Sequence, residues 1–206
     1  MMDLSAVALR QLRRPTVLSD VDNILCYYIE GELLAVNARY GTSYSLDQMT
    51  TYQGHGVYDD EQREWIHSWR HTASALDLLA PNYQAIDALT QLHDAGCRII
   101  VASNRPVEMA TTTTEWLRKY EVPFDLIFLN GPGSKPWVAK HYGPLVWLDD
   151  DPHMWPYAVP TRSTIYTPRR EWTPSTPRRG VIVYSNYTDV IRMILSQSLE
   201  DIDRSA

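Results

Sequence analysis

The chain has 206 residues, 44% of them hydrophobic, with a net charge of -6 and two cysteines. Its acidity argues against a polynucleotide surface, which needs many Lys and Arg to neutralise phosphates, and Cys26 and Cys97 are too few for a disulfide framework and read as small hydrophobes without chemistry. No run reaches the ~20 apolar residues of a membrane span, and Met1-Met2-Asp3-Leu4 lacks the basic-then-apolar order of a signal peptide, so a cytoplasmic protein with no membrane partner is expected.

In chain order, Thr16-Val17-Leu18-Ser19 is the first continuous apolar run and is predicted to be a strand buried on both faces. Residues 27–82 then break the alternation of strand and helix: a helical stretch at Glu32 to Tyr40, a Gly- and Tyr-rich loop from Gly41 to Tyr58, and a helix at Glu61 to His71. This segment is expected to be a small helical cap (27–82), and residues 1–26 and 83–206 the catalytic core. Tyr83 to Ala95 follows as an amphipathic helix, with Ile86, Leu89 and Leu92 on one face and Gly96 at its stop. Strands are predicted at 98–102, 126–129, 145–148 and 181–184, an irregular Pro- and Arg-rich segment at 160–180, and a closing helix at 189–199. Strands alternating with helices mean an α/β fold with a doubly wound, mainly parallel sheet.

Three runs lead straight into polar residues: Asp20-Val21-Asp22-Asn23, Ser103-Asn104-Arg105 and Asp149-Asp150-Asp151. In open α/β sheets the ligand crevice lies beyond the carboxyl ends of the strands, so the fold would gather these clusters. Asp20 and Asp22, two apart on extended chain, point the same way. Asp20 can then act as a nucleophile forming an acyl-phosphate, and Asp22 as the acid that protonates the leaving oxygen. A hard divalent cation, magnesium by preference, would offset the excess negative charge, with Asp149 or Asp150 as a further ligand beside Asp20 and Asp22. Ser103, with Asn104 beside it, and Lys135 at the helix start in Gly131-Pro132-Gly133-Ser134-Lys135 are candidate contacts for phosphoryl oxygens. Each piece alone is commonplace. Their order along the chain carries the reading.

That order resembles the four motifs of the haloacid-dehalogenase-like hydrolases: Asp20-Val21-Asp22, Ser103, Lys135 and Asp149-Asp150, within Thr16 to Pro152. The stretch Asn37 to Asp47, followed by Thr50-Thr51-Tyr52, is similar to the cap of the 5'(3')-deoxyribonucleotidases. The resemblance implies that Asp20 is the nucleophile and Asp22 the acid and base. It also implies magnesium held by Asp20, the backbone carbonyl of Asp22 and a motif-four Asp, and a nucleoside monophosphate as substrate. Asn23 stands where those relatives usually have Gly, and it still tolerates left-handed backbone. The second Asp favours a phosphatase over a dehalogenase.

Tyr52, Trp65 and Trp69 are the cap aromatics expected to face a base. His67 and His71 have the spacing of a zinc pair but lack the Glu between them, and a packing or solvated role is expected. A polynucleotide 3'-phosphatase is the alternative enzyme, since Ser103-Asn104-Arg105 and Asp149-Asp150-Asp151 with Met154-Trp155 are similar to the phosphatase half of phage polynucleotide kinase-phosphatase and five loop arginines follow. A silent nucleotide-binding protein is the alternative from another class. A homodimer is compatible with the sequence.

Overall fold

The computed structural model describes residues 14–54, 56–129 and 133–203. Within them, six parallel strands form one sheet in the order β3-β2-β1-β4-β5-β6. The strands are β1 Thr16–Ser19, β2 Arg98–Ser103, β3 Leu126–Leu129, β4 Val146–Leu148, β5 Thr164–Pro168 and β6 Val181–Tyr184. The register pairs Leu18 with both Ile100 and Trp147, so β1 is the central strand and both its neighbours run alongside it.

The alternation along each strand explains the two layers, because successive side chains leave opposite faces. Val17, Ile99, Val101, Val146 and Leu148 pack to one side, against Leu89 and Leu92 of α4 (Tyr83–Asp94), Trp116 and Leu117 of α5 (Ala110–Lys119), and Val190 and Ile194 of α8 (Tyr187–Asp203). Leu18, Ile100, Ala102, Trp147 and Ile165 pack to the other, against Val138 and Ala139 of α6 (Ser134–Tyr142), Met154 and Trp155 of the 3-10 turn Pro152–Tyr157, and Ala158 of α7 (Ala158–Thr161). Burying a Leu or Ile is worth about 1.5–3 kcal/mol. This is why the strands read as continuous apolar runs.

One expectation is corrected here. The segment 160–180 is not irregular throughout: Thr164-Ile165-Tyr166-Thr167-Pro168 is β5, buried between β4 and β6. Its two threonines interrupt the apolar run, although β-branched Thr suits a strand. Helix bounds differ by a few residues elsewhere.

Between β1 and α4 the described residues make three α-helices, α1 Tyr28–Tyr40, α2 Asp60–Trp69 and α3 Ala73–Asp77, with 3-10 turns at Leu46–Gln48 and Tyr52–Gly54, and add no strand to the sheet. The two ends of this excursion run side by side, with Tyr27 N donating to Ala80 O (3.0 Å) and Asn82 N to Leu25 O (2.8 Å). The Asn37 amide organises the Gly-rich turn after α1, donating to Tyr44 O (2.8 Å) and accepting from Tyr44 N (2.9 Å). Asp59 and Gln62 form a reciprocal cap at the start of α2. Gly31 lets α1 approach the end of α3: a Cβ there would stand 2.7 Å from Leu79 Cδ2 and 3.2 Å from Leu78 O. Ile29, Leu33, Val36, Met49, Tyr58 and Ile66 form the excursion's own core, and Trp172, from the segment after β5, inserts into it. No described helix is long and apolar enough to cross a membrane.

Candidate active site

The strand ends deliver the acidic residues. Asp20 N donates to Leu148 O (2.9 Å) and Asp149 N to Tyr166 O (3.1 Å), so the sheet pairing continues one residue past β1 and past β4 and fixes both backbones. Lys135, in the first turn of α6, reaches between the two carboxylates, with Nζ 2.6 Å from Asp20 Oδ2 and 3.0 Å from Asp149 Oδ2. Trp147 Nε1 (2.9 Å) and Asp151 N (3.0 Å) also donate to Asp149. Asp20, Asp149 and Asp150 have ligand oxygens within 4.8 Å of one another, and all three residues are buried. The expected metal set also held Asp22, through its backbone carbonyl; the Asp22 side chain lies outside this carboxylate cluster.

Burial raises the pKa of Asp20 well above the usual carboxylate range, against the attraction of Lys135 and helped by Asp149. Burial also raises Asp149 and, with Asp149 beside it, pushes Asp150 up to about 7. Burial works against the charge of Lys135, but the flanking carboxylates outweigh it and hold its proton more tightly than usual. Three carboxylates facing one ammonium leave excess negative charge in a buried site. A divalent cation with oxygen ligands relieves that excess, so the residues present fit magnesium.

Asp22 is instead gripped by Arg105, with Nε 3.2 Å from Oδ2 and Nη2 2.5 Å from Oδ1. Arg105 is itself buried and also donates to Thr113 Oγ1 (3.3 Å). Asn104, not Arg105, is among the residues expected from the sequence to contact the phosphoryl group. A half-buried carboxylate calls for a cationic partner, and that signal was available two residues after Ser103. Ser103, 1% exposed, ends β2, and its carbonyl accepts from Ser134 Oγ (3.3 Å) at the start of α6.

These groups share a cavity of about 160 Å³, lined among others by Asp20, Asp22, Ser103, Asn104, Lys135 and Asp150. Opposite chain segments supply Tyr28, Glu32, Tyr52, Arg70, His71 and Trp172. Tyr52 is thus brought to the cavity and stands edge-on to His153 at 5.6 Å. Trp65 and Trp69 are not. They stack on each other at 5.7 Å, with Tyr40 edge-on to Trp65, and Trp69 packs on Ala35 and Ala75. Glu32 was missed, although its spacing of four from Tyr28 places both on one face of α1. Burial raises its pKa, against the pull of Arg70. Nothing in the sequence pointed to Trp172.

The remaining expectations are simply placed. Asp151 caps the turn at 152–157, accepting from His153 N (2.9 Å). His67 and His71 meet edge to face at 5.3 Å, and neither joins a metal-binding group among the described residues. Cys26 and Cys97 are buried free thiols, and burial raises the pKa of each. Gly131 and Pro132 of the Lys135 segment lie outside the described residues.

No protein family model and no curated protein matches the chain. Solved structures do match. A haloacid dehalogenase-like family hydrolase from Streptococcus pneumoniae superposes with a TM-score of 0.62 at 13% identity, over 88% of this chain and 98% of that one. A predicted phosphatase from Clostridium acetobutylicum gives 0.62 at 15%, over 89% and 99%. A haloacid dehalogenase family hydrolase from Deinococcus radiodurans, with bound phosphate and sodium, gives 0.59 at 16%, over 91% and 97%.

Proposed function

We propose that this chain, which carries the haloacid-dehalogenase-like fold, is a magnesium-dependent phosphomonoesterase that hydrolyses nucleoside monophosphates through a phospho-aspartate on Asp20. The observation that carries the reading is the Lys135 ammonium set between Asp20 and Asp149, beside Asp150, on the floor of the cavity. A nucleophilic carboxylate, a fixed cation and a buried acidic cluster together suit phosphoryl transfer, where positioning and charge stabilisation do most of the work.

Asp20, Asp149 and Asp150 would hold the magnesium ion, which polarises the phosphoryl group and offsets its charge. A carboxylate oxygen of Asp20 attacks phosphorus, and the bond to the ester oxygen breaks. The leaving oxygen takes a proton from Asp22. Lys135 and Ser103 hold the phosphoryl oxygens during transfer. Asp22, now a base, takes a proton from water as that water displaces the phosphate from Asp20, so each residue returns to its starting state. Arg105 keeps the Asp22 side chain out of the acidic cluster.

The segment 27–82 acts as a cap, and with Tyr52 and Trp172 it forms the wall that meets the nucleoside. A small substrate is favoured over a polynucleotide because Tyr28 and Glu32 of α1 and Arg70, just past α2, wall the cavity, whereas single-strand binders use an open basic groove. The testing experiment is phosphate release from ribo- and deoxynucleoside monophosphates, with and without magnesium. Release that needs magnesium and is fastest with nucleoside monophosphates is the expected result. No release from any monoester refutes the reading, and preferential, salt-sensitive cleavage of 3'-phosphorylated oligonucleotides replaces it with the polynucleotide one.

A further inference from the structure

Asn23 occupies the turn between β1 and α1 and is 5% exposed. Its backbone is left-handed, with φ 58°. Glycine meets that requirement at lower cost, so the side chain needs another explanation. Both ends of the amide are used. Nδ2 donates to Asp150 Oδ2 at 2.9 Å, and Oδ1 accepts from Ile29 N at 3.1 Å in the first turn of α1. The orientation follows from chemistry, because a backbone N–H can only donate and so selects the amide oxygen.

One side chain therefore spans from the acidic cluster to the helix that opens the excursion. Asp20, three residues before Asn23, directly follows β1, while Asp150 comes from beyond β4. Tyr28, Ile29 and Glu32, on the first turns of α1, line the same cavity as Asp150. Partners that hold a metal-ligating carboxylate in place are commonly worth a tenfold or greater change in metal affinity.

We infer that Asn23 is a positioning residue that ties the cation-binding orientation of Asp150 to the seating of α1 over the cavity. The inference rests on the magnesium site of the proposed function and goes beyond it by linking that site to the roof. Cation binding fixes Asp150, and the fixed carboxylate holds the Asn23 amide. The amide in turn holds the Ile29 N–H. Glycine at this position would satisfy the backbone and break both links.

The test measures magnesium affinity by calorimetry and amide exchange at Ile29 by NMR, in the parent, Asn23→Gly and Asn23→Asp, without substrate. Magnesium is expected to slow exchange at Ile29 in the parent. Asn23→Gly should bind magnesium roughly 10- to 100-fold more weakly, with no magnesium-dependent slowing at Ile29. Asn23→Asp still accepts from Ile29 but cannot donate to Asp150, so Ile29 should stay protected yet cease to respond to magnesium. That variant decides the matter if Asn23→Gly does not fold. Unchanged magnesium affinity in Asn23→Gly, or a persistent Ile29 response in either variant, overturns the link. Phosphate release by the parent, measured alongside, separates the two ideas: a magnesium-dependent parent with unaffected variants defeats only the role of Asn23. A parent that binds no magnesium defeats the metal site and the inference with it.

Discussion

The floor and the roof of the cavity are built on different principles. On the floor, Asp20 and Asp149 each sit one residue past a central strand, and their backbone amides are still held by a neighbouring strand. Their places follow from sheet register, which a continuous apolar run specifies. On the roof, Tyr28 and Glu32 come from α1, Tyr52 from the 3-10 turn Tyr52–Gly54, Arg70 from the residue after α2 and Trp172 from the segment after β5. Which ring faces the cavity there depends on how the excursion packs on itself, and Trp65 and Trp69 turn away into that packing. The charged groups are thus placed by topology, and the residues facing them by local packing.

The sharpest way to break this contrast is to remove proton transfer on the floor while leaving the roof intact. Asp22→Asn keeps an acceptor for Arg105 but cannot donate the proton, and turnover of nucleoside monophosphates should fall about 10²- to 10⁴-fold, with a smaller loss for p-nitrophenyl phosphate, whose leaving group needs little acid help. Steady-state rates on both substrates check this; equal losses contradict the acid role. The roof is tested next by a pair of substitutions. Tyr52→Ala should raise KM for nucleoside monophosphates by roughly five- to a hundredfold, the range of a lost base-stacking contact. Trp65→Ala should instead lower stability by about 1–3 kcal/mol, read by denaturant unfolding, because its ring packs against Tyr40 and Trp69. A selective KM effect of Trp65→Ala would place it back at the cavity.

The smallest effect concerns Glu32. Burial raises its pKa, so the folded protein holds this proton more tightly than the unfolded chain does. The stability so gained is present below the unfolded value, about 4.3, and is lost as pH rises through the raised folded value. Glu32→Gln carries no charge to desolvate. Its melting temperature should therefore gain on the parent's as pH rises from 4 to 8, by about 2–4 °C for each kcal/mol of penalty removed. A difference independent of pH contradicts the assignment.

The legible part of the molecule matches this division. Continuous apolar runs mark β1, β2, β3, β4 and β6, and the polar clusters after β1, β2 and β4 bring Asp20, Asn104 and Asp150 to the cavity, while Asp149 is buried against Lys135. β5 escaped because Thr164 and Thr167 dilute its run, although Ile165 and Tyr166 are fully buried. Arg105 lay within a cluster already noted and needed only the question of what pairs with Asp22. Trp172 carried no such signal: it enters the core of the excursion from the segment between β5 and β6, across a large separation in sequence that local patterns do not encode.

The central claim is that Asp20 attacks phosphorus, and one comparison tests it most directly: magnesium-dependent phosphate release by the parent and by Asp20→Asn, with the fold of both checked by thermal unfolding. The amide is nearly isosteric with the carboxylate and still accepts from Lys135, but it is not a competent nucleophile. The account predicts a folded variant with no detectable turnover of nucleoside monophosphates or p-nitrophenyl phosphate. A folded Asp20→Asn protein that releases phosphate at a rate near the parent's would contradict it.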